Sequence, residues 1–121
     1  MIGSRILVLE DDPDHRLLLE YVLIDAAYKV ESTGTVAGAL SLLNDCAYDL
    51  LLADGRLPDG TGMTAADKAR EQGTKTLIVT GFAFELPKNH PYEVLEKPVG
   101  VEHLITTIER VLVSAAPSAS H

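Results

Sequence analysis

Five residues with reactive side chains follow short apolar segments of the sequence, at the point where each segment ends. Glu10 and Asp11 follow the first segment. Asp54, Thr80 and Lys97 each follow one of three others. Clustered carboxylates repel one another unless a cation neutralises them, and Mg²⁺ prefers a few carboxylates completed by water. With such a cation bound, Asp54 can act as a nucleophile towards an anionic phosphoryl donor. Lys97 would stabilise charge on the transferred oxygens, and Thr80 would hydrogen-bond one of them.

The apolar segments that precede these residues have the length of strands. Near-continuous apolar runs are typical of strands buried on both faces of a parallel sheet, and mixed runs are typical of edge strands. The sequence predicts interior strands at residues 6–9, 50–53 and 77–79, and edge strands at 28–31 and 94–95. In open α/β sheets, ligands bind beyond the carboxyl ends of the strands. We therefore expect the reactive residues to converge on that edge.

Helical patterns occupy the intervals between the predicted strands. They cover residues 13–26, 36–44, 62–72 and 101–113. Asp12 and Thr35 are suited to cap the first two helices, and Gly73 is suited to end the third. The alternation of strand and helix indicates a doubly wound α/β fold built on a five-stranded parallel sheet.

The composition indicates a small soluble protein with its own core, since 46% of the residues are hydrophobic. The net charge of −8 argues against binding to the phosphate backbone of nucleic acids. A lone cysteine, Cys46, excludes an internal disulfide and fits a reducing cytoplasm. The apolar runs are too short to cross a bilayer, and the start lacks the apolar core of a signal peptide. We predict one cytoplasmic domain over residues 1–121, with a core at 5–113 and a flexible tail at 114–121.

Five motifs carry a resemblance that covers nearly the whole chain. They are ILVLEDD at 6–12, DLLLAD at 49–54, LPDGTG at 57–62, VTG at 79–81 and LEKP at 95–98. In this order, and at these strand ends, the set resembles the receiver domain of bacterial response regulators. The resemblance implies a flavodoxin-like or CheY-like sheet with strand order 2-1-3-4-5. It also implies a phosphoryl-accepting switch in a two-component or phosphorelay system.

The resemblance implies a metal site at the carboxyl ends of the first and third predicted strands. Asp11 is expected to contact Mg²⁺ directly and Glu10 through water. Asp54 matches the phosphoacceptor and also contributes to the metal site. The backbone carbonyl of Arg56 is expected to complete the ligand set.

The resemblance places the residues that respond to phosphorylation at the ends of the fourth and fifth predicted strands. Thr80 matches the switch hydroxyl, and Lys97 matches the lysine that precedes a cis bond to Pro98. Receiver domains take their phosphoryl group from a phosphohistidine on a sensor histidine kinase or a histidine phosphotransfer protein. Phosphorylation then alters binding to a downstream protein target, without nucleic-acid or membrane binding. The only reactions expected are the phosphorylation and dephosphorylation of the domain itself.

Two features depart from the common receiver pattern. The family usually has Tyr or Phe three residues before the lysine, and this chain has Val94. Tyr92 and Phe82 are the aromatic residues that would substitute for it. Thr80 and Lys97 are also only 17 positions apart, which shortens the segment that normally holds the fourth helix.

This shortening resembles an alphaproteobacterial single-domain subgroup named for a Phe-Ala-Thr-Gly motif, although the match to the motif is partial. We therefore predict a flexible loop or a very short helix at residues 82–91.

Several polar residues have simpler interpretations. Asp12 is interpreted as a helix cap and not as a metal ligand. Asp59, before Gly60, indicates a turn. Cys46 is interpreted as a packing residue. His15 lies on the first helix, on the side that contacts partners in the family.

Two alternative functions remain open at this point. One is a degenerate receiver that binds partners without being phosphorylated, which the complete set of reactive residues argues against. The other is a phosphatase that uses Asp54 as a transient nucleophile. Such an enzyme would need a second carboxylate shortly after Asp54, where this chain has Arg56.

Overall fold

A computed structural model of the chain describes residues 3–81, 86 and 89–114. Seven strands and four helices lie within these residues. In chain order they are β1 Arg5–Leu9, α1 Pro13–Asp25, β2 Lys29–Thr33, α2 Val36–Asp45, β3 Leu50–Ala53, β4 Arg56–Leu57, β5 Gly60–Thr61, α3 Gly62–Glu71, β6 Lys75–Thr80, β7 Glu93–Glu96 and α4 Val101–Val113.

Five of the strands form one parallel sheet in the order β2-β1-β3-β6-β7. This is the predicted order 2-1-3-4-5, because β6 and β7 are the fourth and fifth strands of the sheet. β2 and β7 lie at the edges, as their mixed sequences indicate. β6 is longer than predicted and starts at Lys75, since Lys75 and Thr76 pair with Leu50 and Leu51 of β3 despite their polarity.

The register aligns the ends of the strands. Leu9 pairs with Ala53, Ala53 pairs with Ile78, and Thr80 pairs with Glu96. The residues that follow β1, β3 and β7 therefore leave the sheet at the same edge.

Helices cover both faces of the sheet and bury two apolar clusters. α1 and α4 lie over one face, where Leu23 and Ile108 pack against Ile6, Leu50 and Leu77. α2 and α3 lie over the opposite face, where their alanine-rich and leucine-rich sides form the second cluster with alternate residues of the same strands. Continuous apolar strands are buried on both faces for this reason.

The predicted helix ends are present. The Asp12 carboxylate accepts from the backbone N–H groups of Asp14 and His15, at 3.0 and 3.4 Å, and Thr35 Oγ1 accepts from Gly38 N at 3.0 Å. Gly73 has a positive φ of 79°, a conformation that suits glycine after the last turn of a helix.

Asp59 has a role beyond the predicted turn. It lies between the two short antiparallel strands β4 and β5, which form a separate hairpin. Its carboxylate accepts from Val36 N at 2.8 Å and from Ala37 N at 3.0 Å. These bonds lower the pKa of Asp59. The loop after β3 is thereby tied to the N-terminus of α2.

The segment between β6 and β7 is where a short fourth helix or a flexible loop is predicted. Residues 82–85 and 87–88 of this segment lie outside the described residues, as do 115–121 of the predicted tail. Among the residues of the segment that are described, which are 81, 86 and 89–92, none belongs to a helix or a strand. Within the described chain, no helix has the length and apolarity needed to cross a membrane.

The Asp59 contact predicts a pH-dependent contribution to stability. Because folding lowers the pKa of Asp59, its contribution is present above the unfolded pKa of about 3.9 and is lost as the pH falls through the lower folded value. Asp59→Ala should therefore destabilise the protein at pH 7, and the difference from wild type should shrink towards pH 3. Urea denaturation followed by circular dichroism at both pH values measures this.

Asp45→Ala provides the matched control, because Asp45 is the last residue of α2. Removing an acid from a helix C-terminus should not destabilise the helix. An equal loss of stability in both variants at pH 7 would contradict the assigned role of Asp59.

Candidate functional site

The centre of the site is an ion pair between one ammonium and two carboxylates. Lys97 Nζ lies 3.1 Å from Asp54 Oδ2 and 3.2 Å from Glu10 Oε1. Asp54 and Glu10 are buried, and the Lys97 side chain is about one-quarter exposed, at 28%. Burial acts to lower the pKa of Lys97, but the bonds and charges of Asp54 and Glu10 outweigh it and leave that pKa raised. Lys97 is therefore a stable cation at neutral pH.

A third carboxylate completes an acidic group. Glu10, Asp11 and Asp54 each offer an oxygen, and these oxygens all lie within 4.8 Å of one another. Asp11 is exposed, so its side chain faces solvent at the edge of the sheet. Hard divalent cations prefer oxygen donors grouped in this way. The three residues predicted from the sequence as a metal site are thus brought together.

Glu10 is held from several directions. Its Oε2 accepts from Asp12 N at 3.2 Å, and its Oε1 lies 2.9 Å from His15 Nδ1. Arg16 donates to the backbone carbonyl of Glu10 at 2.9 Å. His15 was predicted only to face partners, and Arg16 was not predicted as part of the site. Their spacing from Glu10 places them on the first turn of α1, which is the signal that would have identified them.

Asp54 is positioned by backbone contacts. Its N–H donates to Leu9 O at 2.9 Å, which extends the pairing of β1 and β3 by one residue. Asp54 Oδ1 accepts from Arg56 N at 3.3 Å. Gly62, the first residue of α3, lies so close that a Cβ there would be 2.1 Å from the Asp54 carbonyl oxygen. This close approach requires glycine at position 62.

Thr80 is fully buried at the end of β6, beside the residue that follows Asp54. A Cβ on Gly55 would lie 2.9 Å from Thr80 Oγ1, so the threonine hydroxyl packs against the backbone next to Asp54. Lys97 N donates to Thr80 O at 3.0 Å, which joins the ends of β6 and β7. The peptide bond between Lys97 and Pro98 is cis, as expected.

The departure from the common pattern at position 94 lies in β7. Val94 is half-buried against the α2–α3 cluster. Tyr92 packs on the same cluster, and its hydroxyl donates to Asp67 of α3. Burial, followed by this contact with Asp67, raises the pKa of Tyr92. The aromatic residue nearest to position 94 is therefore tethered to α3.

The roles of the site residues in metal binding and phosphoryl transfer remain predictions. Glu10, Asp11, Asp54 and Lys97 form one cluster, and Thr80 lies at the same edge. The role of the Arg56 carbonyl as a ligand also remains a prediction. The Arg56 side chain is exposed, and its backbone N–H faces Asp54.

Comparisons with known proteins agree with this geometry. The family model of the response regulator receiver domain matches residues 6–109. The response regulator receiver protein CpdR of the alphaproteobacterium Brucella abortus is 33% identical over 121 aligned positions, which cover 93% of this chain and 99% of CpdR. Several other curated relatives are longer proteins, of which the chain spans between 12% and 50%.

Solved structures share the fold. A CheY-like receiver domain protein from Methanospirillum hungatei has a TM-score of 0.82 at 29% identity, over 91% of this chain and 94% of that one. The receiver domain of a sensor histidine kinase from Pseudomonas aeruginosa, described with a magnesium ion in its active-site cleft, has a TM-score of 0.80 at 24% identity, over 93% and 99%. Because the family model covers most of the sequence, the chain belongs to the response regulator receiver domain family.

Proposed function

We propose that this protein is a Mg²⁺-dependent phosphorylation switch in which Asp54 accepts a phosphoryl group from a phosphohistidine. The observation that carries the proposal is the contact of Lys97 with both Asp54 and Glu10 beside a third carboxylate. A degenerate binding module would have no need to gather an ammonium and three carboxylates at one edge.

The donor set fits a divalent cation held by Asp11 and Asp54 directly and by Glu10 through water. Both oxygens of Glu10 are already engaged, by Lys97 and His15 on one side and by Asp12 N on the other. Exposed Asp11 is accessible to a cation from solvent. When bound, Mg²⁺ would neutralise the carboxylates and stabilise charge on the phosphoryl oxygens.

The transfer uses the carboxylate of Asp54 as the nucleophile. A carboxylate oxygen forms a bond to phosphorus while the bond from phosphorus to the donor imidazole nitrogen breaks, and the imidazole leaves with that electron pair. Lys97 is placed to stabilise the negative charge of the transferred group, because its ammonium already contacts Asp54. Thr80, at the end of the adjacent strand, is the residue expected to hydrogen-bond the new phosphoryl oxygens.

The expected partners follow from the family. Receiver domains interact with histidine kinases or phosphotransfer proteins and with downstream targets. We propose that a sensor histidine kinase or a histidine phosphotransfer protein supplies the phosphoryl group, and that a downstream protein in the cytoplasm binds the altered surface. The net charge of −8 disfavours nucleic acid as that target.

Phosphorylation is tested with acetyl phosphate and Mg²⁺, followed by measurement of the intact mass. Wild type should gain one phosphoryl group, whereas Asp54→Asn should gain none because the amide is not a nucleophile of comparable strength. Chelation of Mg²⁺ with EDTA should abolish the adduct. Asp59→Asn is the matched control, since Asp59 lies outside the acidic cluster. An adduct that persists in Asp54→Asn would refute the assignment.

The role of Thr80 is tested by comparing Thr80→Ala with Thr80→Ser. Both variants should still be phosphorylated on Asp54, because the nucleophile is intact. In Thr80→Ala, the amide chemical shifts of β6 and β7 should respond much less to phosphorylation, because no hydroxyl reports the new group. Thr80→Ser should retain the response. Equal responses in the two variants would show that another residue reports phosphorylation.

The close approach of Gly62 predicts a loss of both stability and metal affinity. In Gly62→Ala the methyl group would displace the Asp54 backbone, at a cost of roughly 1–3 kcal/mol in the free energy of unfolding. The Kd for Mg²⁺, measured by calorimetry, should rise. Gly100→Ala is the control, because within the described residues no atom lies within 4 Å of a Cβ at position 100. If Gly62→Ala is destabilised but binds Mg²⁺ with unchanged affinity, the position of the Asp54 backbone does not control metal binding, and the prediction is contradicted.

A further inference from the structure

We propose that His15 is a positioning residue for Glu10, the carboxylate expected to hold Mg²⁺ through water. His15 lies in the first turn of α1, and its Nδ1 lies 2.9 Å from Glu10 Oε1. This role deepens the proposed function and rests on it wherever Glu10 is taken as a metal ligand. The hydrogen bond between the two side chains can be tested separately from metal binding.

The direction of this hydrogen bond follows from the other partners of Glu10. Lys97 Nζ donates to the same oxygen, Oε1, at 3.2 Å, and Asp12 N donates to Oε2 at 3.2 Å. Contact with an ammonium favours the ionised carboxylate, which has no proton to donate. The hydrogen-bond partner of an imidazole nitrogen determines whether that nitrogen carries a proton. The proton between His15 and Glu10 therefore belongs to Nδ1.

Burial makes this third donor important. The Glu10 side chain is only 5% exposed, so protein groups replace most of the water that would otherwise solvate its carboxylate. His15, with 33% of its side chain exposed, contacts the carboxylate from the side of α1. Among the hydrogen bonds of the described residues, loss of this donor would leave Oε1 to Lys97. The bond from His15 thus opposes the pull of the ammonium on Glu10.

The orientation of Glu10 matters for the metal because its contact with Mg²⁺ is expected to run through water. The direction of the carboxylate then decides where that water lies. Residues that hydrogen-bond a metal ligand fix its orientation, and their loss typically costs about 10–100-fold in metal affinity. Loss of the His15 donor should therefore weaken Mg²⁺ binding.

The competing interpretation is that His15 contacts a partner protein, as its place on the first helix implies in the family. A side chain with that role alone would not affect Mg²⁺ binding by the isolated chain. Titration with the metal alone therefore distinguishes a positioning residue from a partner contact.

The experiment compares His15→Leu with His15→Asn in the full chain. Leucine provides no donor, whereas the asparagine amide can donate from nearly the place of Nδ1. The Kd for Mg²⁺, measured by calorimetry, should rise about tenfold in His15→Leu and stay within about threefold of wild type in His15→Asn. Leucine is the better helix former, so thermal unfolding should show His15→Leu to be at least as stable as His15→Asn. A loss of affinity through lost stability would therefore give the opposite order of Kd values.

Two further measurements locate the effect. The nitrogen chemical shifts of the His15 ring, recorded by NMR on wild type before Mg²⁺ is added, should show a protonated Nδ1. His103→Leu makes the same substitution at an exposed position of α4 and should leave the Kd for Mg²⁺ unchanged.

The positioning role would be overturned by an unprotonated Nδ1, or by a Kd in His15→Leu equal to that of wild type. A rise in Kd that is as large in His15→Asn as in His15→Leu would also overturn it.

Phosphorylation by acetyl phosphate separates this role from the proposed function. If His15→Leu alone binds Mg²⁺ weakly but wild type gains no phosphoryl group, the proposed function fails and the positioning role stands. If wild type is phosphorylated and both variants bind Mg²⁺ as wild type does, the proposed function stands and the positioning role fails.

Discussion

The repulsion among carboxylates at the carboxyl end of the sheet is the constraint on which the site depends. Two unit charges 4 Å apart repel by roughly 4 kcal/mol at the effective dielectric constant of a protein surface. Glu10, Asp11 and Asp54 have oxygens within 4.8 Å of one another, and two of these residues are buried. Lys97 offsets this repulsion by contacting Asp54 and Glu10 simultaneously. The position of Lys97 is therefore as important for this compensation as its positive charge.

That place is set by the edge strand β7. Lys97 follows β7 directly, and its N–H donates to Thr80 O, so the backbone of Lys97 is bonded to the end of β6. At the other end of β7, Glu93 forms a bidentate ion pair with Arg110 of α4. β7 pairs with one neighbour only, β6. The position of Lys97 is therefore linked through β7 to two elements, the interior strand β6 and the helix α4.

Residue types and spacing were sufficient to predict most of the fold. Four strand ends bear polar residues directly after apolar runs, and the strands could be ordered from the family resemblance. The contacts that were not predicted depend on where individual side chains lie in three dimensions. Asp59 reaches the start of α2, 23 positions earlier, and His15 reaches Glu10 across a turn.

The bonds of Glu10 and Lys97 suggest how metal and phosphoryl group are coupled in the proposed switch. Lys97 is held by the same carboxylates that a cation would neutralise, so cation and ammonium compete for them. A bound cation held by Asp54 and Asp11 would weaken the attraction between Lys97 and Asp54, and a phosphoryl group on Asp54 would offer new oxygens to the Lys97 ammonium. In the proposed switch, the positive charge of Lys97 would then be available to the transferred group. Since Lys97 is bonded through its backbone to Thr80, that exchange would also act on the residue proposed to report phosphorylation.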